Sequence, residues 1–192
     1  MLPKKGNLND PANYRPIALL PILYKLFSKM LYNRIMPHLN ARQSDDQCGF
    51  RPGCWLEDGF AIYEGIVGNA IEFNLDIWIC SIDSQKAFDR IAYASLFQAL
   101  RVHGLPEYYI HLLIALYSNQ RASVHGSEYF EIARGVKQGD IISPILFNCA
   151  LEVAFSRWKR NLSDHGWLLH PAYPRLTNSR YADDIFYMQS QR

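Results

Sequence analysis

Residues 180–184 run Arg-Tyr-Ala-Asp-Asp, and Ile185, Phe186, Tyr187 and Met188 follow directly. A second strand-like run covers 176–181, so this part of the chain is constrained to two strands flanking a tight, doubly acidic turn. Adjacent carboxylates repel unless positive charge lies between or beside them. A divalent cation is the simplest source of that charge. A hard ion such as Mg²⁺ takes oxygen ligands, uses only one or two carboxylates and leaves room for substrate phosphates. The stretch therefore points to metal-dependent phosphoryl chemistry, although a solvated turn would satisfy the same pair taken alone.

The rest of the chain bounds the class. At 192 residues it predicts one domain, or one domain and part of another. It is 49% hydrophobic and 14% aromatic, which supports a packed core and argues against disorder. A net charge of +2 says little about nucleic acid, because a local patch matters more than a total. Cys48, Cys54, Cys80 and Cys149 show neither Cys-Xaa-Xaa-Cys spacing nor a His/Cys cluster. That argues against structural zinc and does not require an oxidising compartment. No apolar run approaches the roughly 20 residues that span a bilayer, and Leu-Pro-Lys-Lys and the polar residues that follow Met1 lead to the expectation of no signal peptide.

Prolines 3, 11, 16 and 21 predict an extended or looping start. A helix is expected next, with Leu23, Leu26, Phe27, Met30, Leu31 and Ile35 on one face and Pro37 ending it. Residues 49–53 read as a loop and 55–73 as a second helix. Ile-Trp-Ile-Cys-Ser-Ile at 77–82 reads as a buried strand ending at Asp83. Helices are expected near 92–103 and 107–118, and a hairpin over 121–133 around Gly126-Ser127. Ser143-Pro144 reads as a hydroxyl cap followed by proline, starting a helix that runs to about Arg160. This order predicts an α+β fold, an antiparallel sheet with helices packed on one face.

Three stretches carry chemistry. Asp83 ends a strand and begins Asp-Ser-Gln-Lys-Ala-Phe-Asp, so its carboxylate can project from a rigid sheet edge. Gly135-Val-Lys-Gln-Gly-Asp140 precedes a helix, and its glycines let backbone approach a ligand closely. Asp140 is placed to favour the positive helix end. The third stretch is Asp183-Asp184. With Asp83 on a neighbouring strand, three carboxylates converge. Such a set suits two divalent ions about 3.5–4 Å apart that clamp the attacking and leaving oxygens of an in-line displacement.

The ordered motifs Asp83-Xaa-Xaa-Lys-Ala-Phe-Asp, Gly135-Val-Lys-Gln-Gly-Asp-Xaa-Xaa-Ser-Pro and Tyr181-Ala-Asp-Asp resemble the reverse transcriptases of non-LTR (LINE-type) retrotransposons. Asn13-Tyr-Arg-Pro-Ile-Ala-Leu-Leu and Gln47-Cys-Gly-Phe-Arg-Pro-Gly resemble fingers motifs of that family. The five motifs cover most of the chain. The resemblance implies a right-hand polymerase, with fingers over 1–75 and palm over 76–192, including a fingers-like insertion near 92–135. It implies that Asp83, Asp183 and Asp184 are catalytic and hold two Mg²⁺ ions, with Mn²⁺ an alternative, and that the Ser84 carbonyl is a further ligand. Phe88 matches the bulky residue that blocks a ribose 2′-OH. Gln138 matches a nucleotide contact, and Gly139 the close-approach position beside it. Tyr181 and Ala182 match primer-end residues. Arg15 and Lys25 are candidates for the triphosphate and Arg51 for the template. Lys25 also reads as part of a solvated helix face, as does Lys29. Lys86 and Arg90 read either as contacts to a nucleic-acid backbone or as surface residues.

The implied reaction adds dNTPs to a primer 3′-OH on an RNA template. The implied partners are RNA template, DNA primer and dNTPs, with no membrane and no obligate protein partner evident. Localisation stays unknown, with a nuclear or cytoplasmic setting expected for a retroelement protein. Ile141 stands where the family usually has proline, and Cys54 where a basic or polar residue is common. The chain stops eight residues after Asp184, so an absent thumb and primer grip are expected. Two other readings fit the motifs: a group II intron-type maturase, and a non-catalytic nucleic-acid-binding remnant.

Overall fold

The computed structural model describes residues 2–3, 6–7, 9–124, 127–162, 164–168 and 174–190. Its centre is a three-stranded antiparallel sheet in the order β3-β7-β6, built from β3 (Ile77–Asp83), β6 (Asn178–Tyr181) and β7 (Asp184–Ser190). The pairing register sets Ile82 opposite Ile185 and Asp83 opposite Asp184. One more residue of slip would turn every side chain of β3 to the other face.

Around this sheet lie α1 (Ile22–Asn40), α2 (Leu56–Glu72), the short α3 (Ala87–Arg90), α4 (Tyr93–Val102), α5 (Glu107–Tyr117) and α6 (Ser143–Lys159). The main core joins α1, α4, α5 and α6 through Leu31, Ile35, Leu39, Leu96, Leu100, Ile110, Leu113, Leu146 and Phe147. Each such buried side chain is worth about 1.5–3 kcal/mol. A smaller cluster of Ile66, Ala70, Trp167 and Met188 seats α2 on the sheet. At the start, β1 (Leu2–Pro3) pairs with β2 (Tyr14–Arg15). The expected hairpin is present as β4 (Arg121–Ala122) paired with β5 (Phe130–Glu131). Its strands are shorter than expected, and His125 and Gly126 at its tip lie outside the described residues.

Four local expectations are corrected. First, α1 runs through Pro37 to Asn40. The missing proline N–H falls in the last turn, where buried Ile35 and Leu39 hold the helix against the core and the Ala41 N–H closes onto the Pro37 carbonyl. Second, the buried stripe of α1 is Ser28, Leu31, Ile35 and Leu39, and Leu23 is 79% exposed, with Leu26, Phe27 and Met30 also at the surface. The Ser28 hydroxyl donates to buried Asp140 at 2.5 Å, and this polar contact extends the buried face set by Leu31, Ile35 and Leu39. Third, β3 is an edge strand with Trp78 68% exposed, because no element covers its outer side among the described residues. Fourth, Ser143 is the first residue inside α6 rather than its cap. Ile142 before it is already helical, and the Ser143 N–H bonds the Asp140 carbonyl. No described helix is long and apolar enough to cross a membrane.

Candidate active site

The last residue of β3 and the first of β7 are cross-strand partners, so Asp83 and Asp184 stand side by side at one end of the sheet. Directly opposed residues in an antiparallel pair have Cα atoms about 4.5–5.5 Å apart. Tyr181 pairs with Asp184, leaving Ala182 and Asp183 as a two-residue turn. Ala182 has φ +58°, a backbone conformation that turns of this length demand and alanine disfavours. Asp83 and Asp184 are exposed and Asp183 is half-buried.

The Asp184 carboxyl is held above the usual carboxylate range, first by desolvation and then by the charges of Asp183 and Asp83. The Asp184 carboxylate therefore feels both of its acidic neighbours. Among the described residues no three His, Cys, Asp or Glu side chains close into a metal-binding cluster. The donor set is an all-oxygen, triply acidic group on adjacent strand ends. Its mutual repulsion fits a hard divalent cation that keeps several ligands from water or substrate.

A carboxyl raised in the folded state binds its proton more tightly there than in the unfolded chain. Its ionisation thus costs stability as pH rises from the ordinary 3.8 through the raised value. Asp184→Asn should raise the melting temperature at neutral pH. That advantage should shrink as pH falls through this window, which thermal denaturation across pH checks directly. An advantage that does not change with pH would contradict the coupling.

Asp83 and Asp183 open into a cleft of about 720 Å³ that is also lined by Arg15, Ser84, Phe88, Gln138 and Gly139. Phe88 is held by a near-parallel stack on Phe147, with centroids 4.3 Å apart, and by the edge of Phe50 at 6.0 Å. The loop from Gly135 is bonded to the α3 segment. The Gly135 N–H donates to the Ile91 carbonyl at 2.7 Å and the Val136 N–H to the Phe88 carbonyl at 2.8 Å. A side chain at Gly135 would strike the Asp89 backbone, and φ there is +88°. Gln138 donates its Nε2 to Asp89 Oδ1 at 2.9 Å, and its carbonyl accepts from the Ala18 N–H at 2.8 Å. The sequence motifs around Asp83, Gly135 and Pro16 thus form one wall.

The other candidates lie elsewhere. Lys25 is exposed on α1 and does not line the cleft. Arg51 is turned inward: Nε donates to Asn40 Oδ1, and Nη1 to the carbonyls of Ser44 and Gln47. Its loop is closed by a disulfide between Cys48 and Cys54, whose Cα atoms are 5.1 Å apart; Cys80 and Cys149 are free. Tyr181 is partly exposed, and Ala182 is buried beneath the turn.

Two polar groups differ from, or were missed by, sequence reasoning. Asp140 does not serve an open helix end. It is buried and accepts hydroxyl hydrogens from Tyr24 at 2.9 Å and from Ser28. Lys137 donates to the Tyr24 oxygen at 2.8 Å and lies over the Tyr24 and Tyr117 rings. Burial pushes this lysine below its ordinary value and, with Asp140, pushes the Tyr24 hydroxyl well above its own. The network ties α1 to the Gly135–Asp140 loop. Its only sequence signal was the Lys-Gln-Gly-Asp motif, which did not name its partners.

The sequence matches the protein family described as reverse transcriptase (RNA-dependent DNA polymerase) over residues 2–192. It is 31% identical over 155 residues to the retrovirus-related Pol polyprotein of the type-2 retrotransposable element R2DM of Drosophila melanogaster, covering 79% of this chain and 14% of that protein. It is 27% identical over 198 residues to the Pol polyprotein of a type-1 retrotransposable element R2 of Nasonia vitripennis, covering 100% of this chain and 18% of that protein. The chain therefore spans under a fifth of the length of these relatives. Among solved structures, apo telomerase of Candida tropicalis superposes with a TM-score of 0.62 at 15% identity, covering 88% of this chain and 35% of that one. That likeness is one of fold.

Proposed function

Because the chain belongs to the reverse transcriptase (RNA-dependent DNA polymerase) family, we propose that it forms the catalytic centre of an RNA-directed DNA polymerase of a retrotransposon. Residues 1–75 would be its fingers, and residues 76–192 its palm with an insertion near 92–135. The observation that carries the proposal is the register of β3 on β7, which sets Asp83 beside Asp184 with Asp183 in the adjoining turn. The relatives named above are retrotransposon proteins, which favours this reading over an intron maturase.

Asp83, Asp183 and Asp184 would hold two Mg²⁺ ions, with Mn²⁺ as an alternative. When bound, such ions lower the pKa of a primer 3′-hydroxyl and neutralise the departing pyrophosphate. The chain's own residues position the reactants. Arg15 lines the same cleft as the carboxylates and supplies a cation for phosphate oxygens. Gln138, fixed through Asp89, presents a polar edge beside Gly139, where backbone can approach a nucleotide. The Phe88 ring, braced by Phe147, restricts the space beside the sugar. Most of the rate would come from positioning and charge stabilisation rather than covalent catalysis.

The test is Mg²⁺-dependent primer extension by the full gene product on poly(rA)/oligo(dT). Template-dependent dTMP incorporation is expected, and its absence would favour the non-catalytic reading. Phe88→Ala should raise incorporation of ribonucleotides relative to deoxyribonucleotides by roughly 10-fold or more. Phe88→Leu, which keeps apolar bulk, should change it less. Competition assays with rUTP and dTTP check both. Unchanged selectivity in Phe88→Ala would remove Phe88 from this role.

A further inference from the structure

Gln47 has no part in the function proposed above, yet it is fully buried and reaches a residue 135 positions later. Its carboxamide grips the backbone of Ala182. Oε1 accepts from the Ala182 N–H at 3.0 Å, and Nε2 donates to the Ala182 carbonyl at 3.2 Å. The same Oε1 accepts from the Gly49 N–H at 2.9 Å, which stiffens the side chain from its own loop. One side chain thus satisfies both polar groups of the one turn residue that carries an unfavourable positive φ.

The surrounding backbone is built to the same end. The Arg180 N–H donates to the Asp46 carbonyl at 2.7 Å and the Cys48 N–H to the Arg180 carbonyl at 2.9 Å, so residues 46–48 run along β6. Gly49 lies so close to the turn that an added Cβ would stand 2.1 Å from the Ala182 nitrogen. From α6, Asn148 Nδ2 donates to the Gly49 carbonyl at 2.7 Å.

We infer that Gln47 is a positioning residue: it holds Ala182 in its left-handed conformation and thereby aims the Asp183 and Asp184 carboxylates toward Asp83. This rests on the reading of those carboxylates as metal ligands. The Ala182 carbonyl belongs to the peptide plane that leads into Asp183, so rotating that plane redirects the Asp183 side chain. Alanine does not keep φ near +58° unaided, and no side chain shorter than glutamine spans the same distance from residue 47. Glutamate has the length but, when ionised, has no donor for the carbonyl. Leucine has neither donor nor acceptor.

The test compares wild type, Gln47→Leu, Gln47→Glu and Asp183→Asn in the full gene product. Two quantities are read: Mn²⁺ affinity by titration with primer–template bound, and kcat and KM for dTTP as a function of Mg²⁺. Loss of an outer support for a metal ligand typically weakens metal affinity about 10- to 100-fold. Both Gln47 variants should show such a loss, with lower kcat, unchanged dTTP KM and partial recovery of kcat at high Mg²⁺. Ala182→Gly, which tolerates positive φ, should return part of the Mn²⁺ affinity when added to Gln47→Leu. Should Gln47→Leu not fold, the equally long Gln47→Glu carries the comparison. Wild-type Mn²⁺ affinity in a folded Gln47 variant would overturn the inference, as would a lower active fraction with unchanged Mg²⁺ dependence. An active Asp183→Asn would instead overturn the site reading on which it rests.

Discussion

Asp183→Asn should reduce primer extension by about 10³-fold or more, equivalent to about 4 kcal/mol of transition-state stabilisation, without lowering thermal stability. The substitution keeps size and removes charge. Asp183 lies in the turn between β6 and β7, next to the residue whose backbone Gln47 grips, and those bonds do not involve its side chain. The turn should therefore survive. Its neighbour Asp184 is raised in part by the Asp183 charge, so the variant relieves repulsion inside the folded protein. Inactivity together with an equal or higher melting temperature separates a site of function from a structural turn. Primer extension on an RNA template and thermal denaturation of the same preparation measure the two halves. Wild-type activity, or inactivity explained by unfolding, would contradict the assignment.

Glu152→Ala should destabilise the protein by about 3–5 kcal/mol, a large share of the roughly 5–15 kcal/mol that holds a typical domain folded. Glu152 is 5% exposed and accepts from Arg180 Nη2 at 2.8 Å. Arg180 is 1% exposed, lies over the Phe155 ring at 4.2 Å, and sits 3.9 Å from Asp46. Among the described residues its Nε and Nη1 have no hydrogen-bond partner, so Glu152 is its main compensation. Removing that carboxylate leaves a buried guanidinium two residues before Ala182, on the strand that leads into the acidic turn. Replacing both members together, Glu152→Leu with Arg180→Met, should recover most of the loss, because well-packed apolar residues avoid the desolvation altogether. Urea denaturation gives these values. A single-variant effect below about 0.5 kcal/mol, the range of ordinary surface changes, would show that the pair does not hold the hairpin.

Much of this arrangement is legible in the chain itself. The helices α2, α4, α5 and α6 and the strands β3, β6 and β7 follow from apolar periodicity and from Gly and Pro punctuation. The convergence of Asp83 with the Asp183-Asp184 turn is expected from the sequence, whereas the register that pairs Asp83 with Asp184, the first residue of β7, is visible only in the fold. What was not legible depends on side-chain partners that only the fold brings together. Ser28 is a core residue only because Asp140, 112 positions later, accepts its hydroxyl hydrogen. That bond lies on the same face of α1 as Leu31, Ile35 and Leu39, while Leu23 and Leu26 stay at the surface, against the apolar pattern. Arg180 reads as a surface residue until Glu152 and Phe155 are brought around it. Arg51 reads as a template contact by its motif, while the fold turns its guanidinium onto the carbonyls of Ser44 and Gln47. Gln47 opens a motif in the sequence, but that motif does not name its partner, which is the backbone of Ala182 135 positions later. Local pattern sets each element, and polar partners brought in by the fold, remote for Ser28, Arg180 and Gln47 and 4 to 11 positions away for Arg51, set which side chains are buried.

The central claim is that Asp83, Asp183 and Asp184 together hold the ions for nucleotidyl transfer. The most direct measurement is the number of Mn²⁺ ions bound, counted by electron paramagnetic resonance, in the full gene product with primer–template and a non-hydrolysable dTTP analogue. Wild type should bind two ions, and each of Asp83→Asn, Asp183→Asn and Asp184→Asn fewer. Equal stoichiometry and affinity in wild type and all three variants would contradict it.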